Sequence, residues 1–148
     1  MKPSAAAPVS ILLVDDNIHG LTARRVILQE QGYAVETALS GEEAWEIYQK
    51  TTFDIVVTDF RMSGMDGLEL MRLIRDTNAP TRTILLSGFV GCLGMTEKST
   101  GADEVISKSN REVQDLLRSV KRLSTRPPKR GPVSQKSKLL AKAVKAVS

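Results

Sequence analysis

From Val9 to Leu123 the chain alternates short, nearly continuous apolar runs with longer stretches whose apolar residues recur every three or four positions. The first run, Val9-Ser-Ile-Leu-Leu-Val14, reads as a strand ending on Asp15-Asp16. Ile18 to Gln31 reads as a helix with Leu21, Arg25 and Leu28 spaced by threes and fours, closed by Gly32 in the usual C-terminal place. Tyr33 to Ala38 is a second strand. Ser40, with Glu43 three residues on, is a capping-box pattern and predicts a helix over Gly41 to Lys50 that buries Ala44, Ile47 and Tyr48. Phe53 to Thr58 is rich in β-branched residues and predicts a third strand that delivers Asp59 at its end. A Gly-containing loop leads to a helix from about Asp66 to Asp76. Arg82 to Leu86 is a fourth strand, ending at Ser87-Gly88. Val90 to Thr100 is a weak helix diluted by Gly91 and Gly94. Glu104 to Ile106 is a short fifth strand before Ser107-Lys108. Asn110 to Leu123 is the last helix, with Val113, Leu116, Leu117 and Val120 on one face.

Strands alternating with helices in this way predict an α/β fold, a doubly wound parallel sheet covered on both faces. The near-continuous apolar strands agree with burial from two sides. In such sheets the functional site lies at the carboxyl ends of the strands. Strand one ends on Asp15 and Asp16, strand three on Asp59, strand four on Ser87 and strand five on Lys108. The topology therefore gathers three carboxylates, a hydroxyl and an ammonium on one rim. A bare cluster of carboxylates repels itself, and a hard divalent cation such as Mg²⁺ relieves that conflict. Mg²⁺, a lysine and a hydroxyl donor each neutralise charge on a transferring phosphoryl group, so the set suits placing a phosphoryl group on a carboxylate.

Taken singly, each residue has a plainer reading. An Asp at a strand end is usually a turn or cap residue, Ser87-Gly88 an ordinary turn, and Lys108 a solvated lysine. Joint placement at four strand ends shifts the reading toward chemistry. His19, the only histidine, lies near the start of the first helix without a His or Cys partner in sequence and reads as a helix-surface residue. Cys92 reads as inert, and Trp45 as packing.

Composition divides the chain in two. The protein has 148 residues and a net charge of +4, with 41% hydrophobic residues, enough for one core. Of the 21 basic residues, 7 lie beyond Ser124, while all 17 acidic residues precede it, leaving a body at −3 and a tail at +7. No apolar run approaches the ~20 residues needed to span a bilayer. Met1 to Pro8 does not read as a signal peptide and is expected to be flexible. A single cysteine excludes an intrachain disulfide and fits a reducing cytoplasm.

The strand-end residues carry a family resemblance. Ile11-Leu-Leu-Val-Asp15-Asp16-Asn17, Asp54-Ile-Val-Val-Thr-Asp59-Phe-Arg-Met-Ser-Gly-Met-Asp66-Gly67, Leu86-Ser87-Gly88 and Gly101-Ala-Asp-Glu-Val-Ile-Ser-Lys108 together resemble the receiver domain of two-component response regulators, over about Val9 to Leu123. The resemblance implies a flavodoxin-like five-stranded sheet in the order 2-1-3-4-5, with five helices. It implies Asp59 as phosphoacceptor and Mg²⁺ held by Asp15, Asp16, the Asp59 carboxylate and the backbone carbonyl of Arg61. Ser87 and Lys108 would contact the phosphoryl oxygens. The donor would be a histidine kinase or a histidine phosphotransfer protein, in a phosphorelay of the cytoplasm. The chain departs from the family pattern at Ser63, where proline is common after the methionine. It departs again at Ser109, where a cis-proline often follows the lysine, and at Val105, where an aromatic switch residue is common.

The tail reads as a linker, 124–134, followed by a basic segment, 135–148, whose Leu140, Ala143, Val144 and Val147 fall at helical spacing. It has no aromatic residue, which argues against membrane insertion, and it cannot build a helix-turn-helix, so specific DNA binding is not expected. The leading reading is a single-domain response regulator that signals through contacts with an unidentified output protein, with homodimer formation left open. Beyond self-phosphorylation and self-dephosphorylation at Asp59, no enzyme activity is expected: aspartyl-phosphate phosphatases resemble a pattern with a second Asp two residues after the nucleophile, and that place is Arg61. The alternative is a receiver-like interaction module whose output does not depend on phosphorylation.

Overall fold

The computed structural model describes residues 7–88 and 96–125. In chain order the described elements are β1 (Ser10–Val14), α1 (Ile18–Glu30), β2 (Ala34–Ala38), α2 (Gly41–Lys50), β3 (Ile55–Asp59), α3 (Gly67–Asp76), β4 (Arg82–Ser87), α4 (Glu97–Thr100), β5 (Glu104–Ser107) and α5 (Glu112–Thr125). The strands form one parallel sheet, as the alternation of strand and helix signals implied, in the order β2-β1-β3-β4-β5 that the family resemblance implied.

The continuous apolar runs are explained by the two cores. In β1, Ile11 and Leu13 join Leu21 and Leu28 of α1 and Leu116, Val120 and Leu123 of α5. Leu12 and Val14 point the other way, onto Ala44 and Tyr48 of α2 and Leu70 and Ile74 of α3. Successive residues of a strand face opposite sides, so a strand covered on both faces must be apolar throughout. The edge strand β2 has no such requirement, and there Ala34 and Glu36 are exposed.

Four of the described helices start where a side chain satisfies free N–H groups, α4 among them through Thr96, which accepts from Ser99. Asn17 accepts from His19 and Gly20, Ser40 from Glu43, and Asp66 from Glu69. The capping pattern at Ser40 is realised with one shift: the Glu43 carboxylate reaches back to the Leu39 N–H at 2.7 Å, one residue before the expected donor. Gly32 adopts φ +93, the left-handed conformation expected just past α1.

Some expectations move. The last helix begins and ends two residues later than its periodicity suggested, and Val113 in its first turn is 41% exposed. The buried stripe of α5 is instead Leu116, Ser119, Val120 and Leu123. Ile47 packs against the core but is only partly buried. Of the weak helix from Val90 to Thr100, the described part is α4, closed by Gly101 at φ +82. The stretch containing Phe89, Gly91, Cys92 and Gly94 lies outside the described residues, as do residues 1–6 and the basic tail from Arg126. No described helix is long and apolar enough to cross a membrane.

Candidate functional site

Strand pairing brings the acidic residues together. Val14 of β1 pairs with Thr58 of β3, so Asp15 and Asp59 follow side by side at the ends of neighbouring strands. Asp15 is 2% and Asp59 5% exposed, whereas Asp16 is exposed to solvent. A carboxylate oxygen from each of the three lies within 4.8 Å of the others. On the far side of Asp59, β4 ends in buried Ser87, whose carbonyl accepts the Lys108 N–H at 3.0 Å. That bond sets the exit of β5, and the Lys108 Nζ lies 2.5 Å from Asp59 Oδ1.

The loop after β3 is tied to the same rim. Asp16 Oδ2 accepts the Ser63 N–H at 3.2 Å, and Glu42 accepts the Met65 N–H at 3.0 Å. The loop returns at Gly67, which must be glycine: a Cβ there would lie 2.4 Å from the Asp59 carbonyl oxygen. The start of α3 thus rests directly on the end of β3.

Burial raises the Asp59 pKa above the ordinary carboxylate value, the hydrogen bond and charge of Lys108 oppose that rise, and the neighbouring Asp15 adds to it. An all-oxygen donor set of this compactness fits a hard divalent cation, and the exposure of Asp16 leaves a solvent side for retained waters.

One member of the site was not anticipated. Arg24 is 8% exposed and places Nη1 2.6 Å from Asp15 Oδ2 and Nε 2.7 Å from Glu112 Oε2. Burial works against its charge, but the hydrogen bonds to Glu112 and Asp15 outweigh that, and its pKa is raised overall. The periodicity had put the neighbouring Arg25 on the inner stripe of α1, yet Arg25 is exposed and the buried stripe is Leu21, Arg24 and Leu28. The sequence signal was slight: Gly20, one turn before Arg24, where a Cβ would stand 3.1 Å from Asp15 Oδ2. The other singled-out residues are not members of the carboxylate trio. His19 is exposed on α1, and Trp45 stacks on Tyr48 with ring centroids 6.0 Å apart. Val105 packs against the small cluster of Met71, Leu85 and Ala102. Peptide bonds among the described residues are all trans, including that between Lys108 and Ser109.

Residues 11–121 match the family model described as the response regulator receiver domain. The chain belongs to the response regulator receiver family. Curated relatives include the gliding motility regulatory protein of Myxococcus xanthus, 32% identical over 81% of this chain and 16% of that protein. The transcriptional regulatory protein TrcR of Mycobacterium tuberculosis is 31% identical over 80% of this chain and 48% of its own length. The chain therefore spans about half or less of these relatives. Among solved structures, the response regulator TrrA of Thermotoga maritima, in complex with Mg²⁺ and BeF, is 34% identical with a TM-score of 0.69, covering 78% of this chain and 98% of that one. The matched receiver segment contains Asp15, Asp16, Asp59, Ser87 and Lys108, and Arg24 and Glu112 as well.

Proposed function

We propose that this receiver domain accepts a phosphoryl group on Asp59 in two-component signal transduction. The observation that carries the proposal is the pairing of a buried Asp59 with Lys108 at 2.5 Å inside a trio of carboxylates. The donor is a phosphohistidine of a histidine kinase or of a histidine phosphotransfer protein. Its P–N bond breaks as an Asp59 carboxylate oxygen forms the new P–O bond, and the imidazole leaves with the electron pair and is then protonated. Asp15, Asp16, Asp59 and the carbonyl of Arg61 would hold Mg²⁺, which when bound supplies positive charge for the phosphoryl oxygens. Lys108 gives up its contact with Asp59 to meet the incoming oxygens, and Ser87 offers its hydroxyl from the end of β4. Carboxylate Asp59 is anionic and acceptor-only, so Lys108 both holds it in place and keeps it ionised against the cost of burial.

The same reading extends to the rest of the chain. Residues 9–123 form the receiver unit, 124–134 a linker and 135–148 a basic tail. The unit works in the cytoplasm and reports its phosphorylation through protein contacts. Since Val105 is not aromatic, readout passes through Ser87, Lys108 and the loops they carry, rather than through a large rotating side chain. Small-molecule acyl phosphate with Mg²⁺ tests the proposal directly. Intact mass should show one added phosphoryl group on the wild-type chain and none on Asp59→Asn. Equal labelling of Asp59→Asn would remove Asp59 from the role.

A further inference from the structure

Arg24 is a permanent charge placed almost out of water, and its two partners belong to different parts of the molecule. Asp15 follows β1 within the carboxylate trio, while Glu112 opens α5, 88 positions beyond Arg24. A buried ion is tolerated only when its partners are close and well aligned, and here both contacts are below 2.8 Å. The space is prepared by Gly20, where a Cβ would stand 3.1 Å from Asp15 Oδ2 and 3.2 Å from Arg24 Nη1. The other Asp15 oxygen, Oδ1, accepts the Asn17 N–H at 2.9 Å. Asp15 thus faces the trio with one oxygen already committed to a guanidinium.

We propose that Arg24 is an internal counter-ion shared by Asp15 and Glu112, which opposes divalent-cation binding at the carboxylate trio and relays occupancy of that site to the first turn of α5. The inference rests on the reading that the trio takes a divalent cation. Without the cation, Arg24 neutralises Asp15 and the three carboxylates tolerate one another. A dication arriving beside Asp15 repels the guanidinium, which cannot lose its charge and cannot reach water. Its remaining anchor is Glu112, so the load moves from β1 to α5. Glu112 lies in the first turn of a 14-residue helix, where a carboxylate is favoured, and can take that load.

A simple structural strut and a shared counter-ion differ in sign. Mg²⁺ titrated calorimetrically into the full chain should bind about tenfold more tightly to Arg24→Met, because one opposing charge is gone. It should bind about threefold more weakly to Glu112→Gln, because Arg24 then leans wholly on Asp15. In amide NMR spectra, Mg²⁺ should shift Glu112 and Val113 in the wild type and leave them unmoved in Arg24→Met. Unchanged or weaker Mg²⁺ binding by a folded Arg24→Met overturns the proposal. If Arg24→Met does not fold, unchanged or tighter binding by Glu112→Gln overturns it. Asp16→Asn separates the cation site from the counter-ion. Mg²⁺ binding that is present in the wild type and lost in Asp16→Asn upholds the cation site whatever Arg24 does. Binding absent from the wild type but present in Arg24→Met upholds the counter-ion, whereas binding absent from both removes the cation site and the counter-ion with it.

Discussion

At the N-terminal edge of β3, Asp54 uses one carboxylate oxygen to accept both the N–H and the hydroxyl of Ser10, at 2.8 and 3.2 Å. At the C-terminal edge of the same strand, Asp59 faces an ammonium and two other carboxylates. The first aspartate is exposed and its charge ties the start of β3 to the start of β1. The second is buried, and its charge is balanced between an ammonium that offsets it and two carboxylates that oppose it. The edges follow the same division elsewhere. Near the N-terminal edge, buried Thr81 donates to the Phe53 carbonyl and accepts from the Tyr48 hydroxyl, each at 2.8 Å, so these polar groups tie α2 to the strand ends. Polar groups at one end of this sheet complete the fold, and those at the other end leave chemistry open.

The largest expected difference between the ends is chemical. Asp59→Asn should lose acyl phosphate labelling entirely, whereas Asp54→Asn, on the same strand, should label to wild-type stoichiometry. Labelling that fell with Asp54→Asn in a folded protein would collapse the distinction. Next in size is Thr81→Val, which keeps the shape but leaves the Tyr48 hydroxyl and the Phe53 carbonyl without this partner at a buried position. It should cost about 2–3 kcal/mol in urea unfolding and leave labelling of the folded fraction intact. Asp54→Ala removes exposed hydrogen bonds only, so its cost should be about 1 kcal/mol in the same assay.

Much of this division was legible in the amino-acid order. Runs such as Ile55 to Thr58 announce a strand covered on both faces, and the residue that ends such a run sits on the carboxyl rim of the sheet, so the gathering of Asp15, Asp59, Ser87 and Lys108 on one rim could be read from pattern alone. The Arg24 device could not. An amphipathic helix with adjacent arginines offers two candidates, and a stripe with a repeat near 3.6 admits either an i+3 or an i+4 residue. The buried one is held by two partners, Asp15 and Glu112, and Glu112 is a partner that the sequence separates by 88 residues and only folding brings close. Val113 failed for a related reason: it falls in the first turn of α5, before the stripe meets the sheet, and apolar character alone did not bury it.

The smallest expected effect separates the two aspartates by pH. Burial raises the Asp59 pKa in the folded state, with Lys108 offsetting part of the rise. As pH climbs from below the ordinary carboxylate value, the unfolded chain ionises first and the folded state holds its proton longer, so this residue makes stability fall with rising pH. Above the raised folded-state value the loss is complete. Without divalent cations, Asp59→Asn should therefore be more stable than the wild type at neutral pH, by at most about 1 kcal/mol because Lys108 already offsets part of the burial cost. The advantage should vanish once the pH is below the ordinary carboxylate range. Urea unfolding in the presence of a chelator, followed through Trp45 and repeated across pH, measures it. Mg²⁺ should reverse the order at neutral pH, since a cation that binds only the folded state stabilises the wild type. A wild type that stays more stable than Asp59→Asn without any cation would mean that Lys108 outweighs burial, and that Asp59, like Asp54, contributes to the fold.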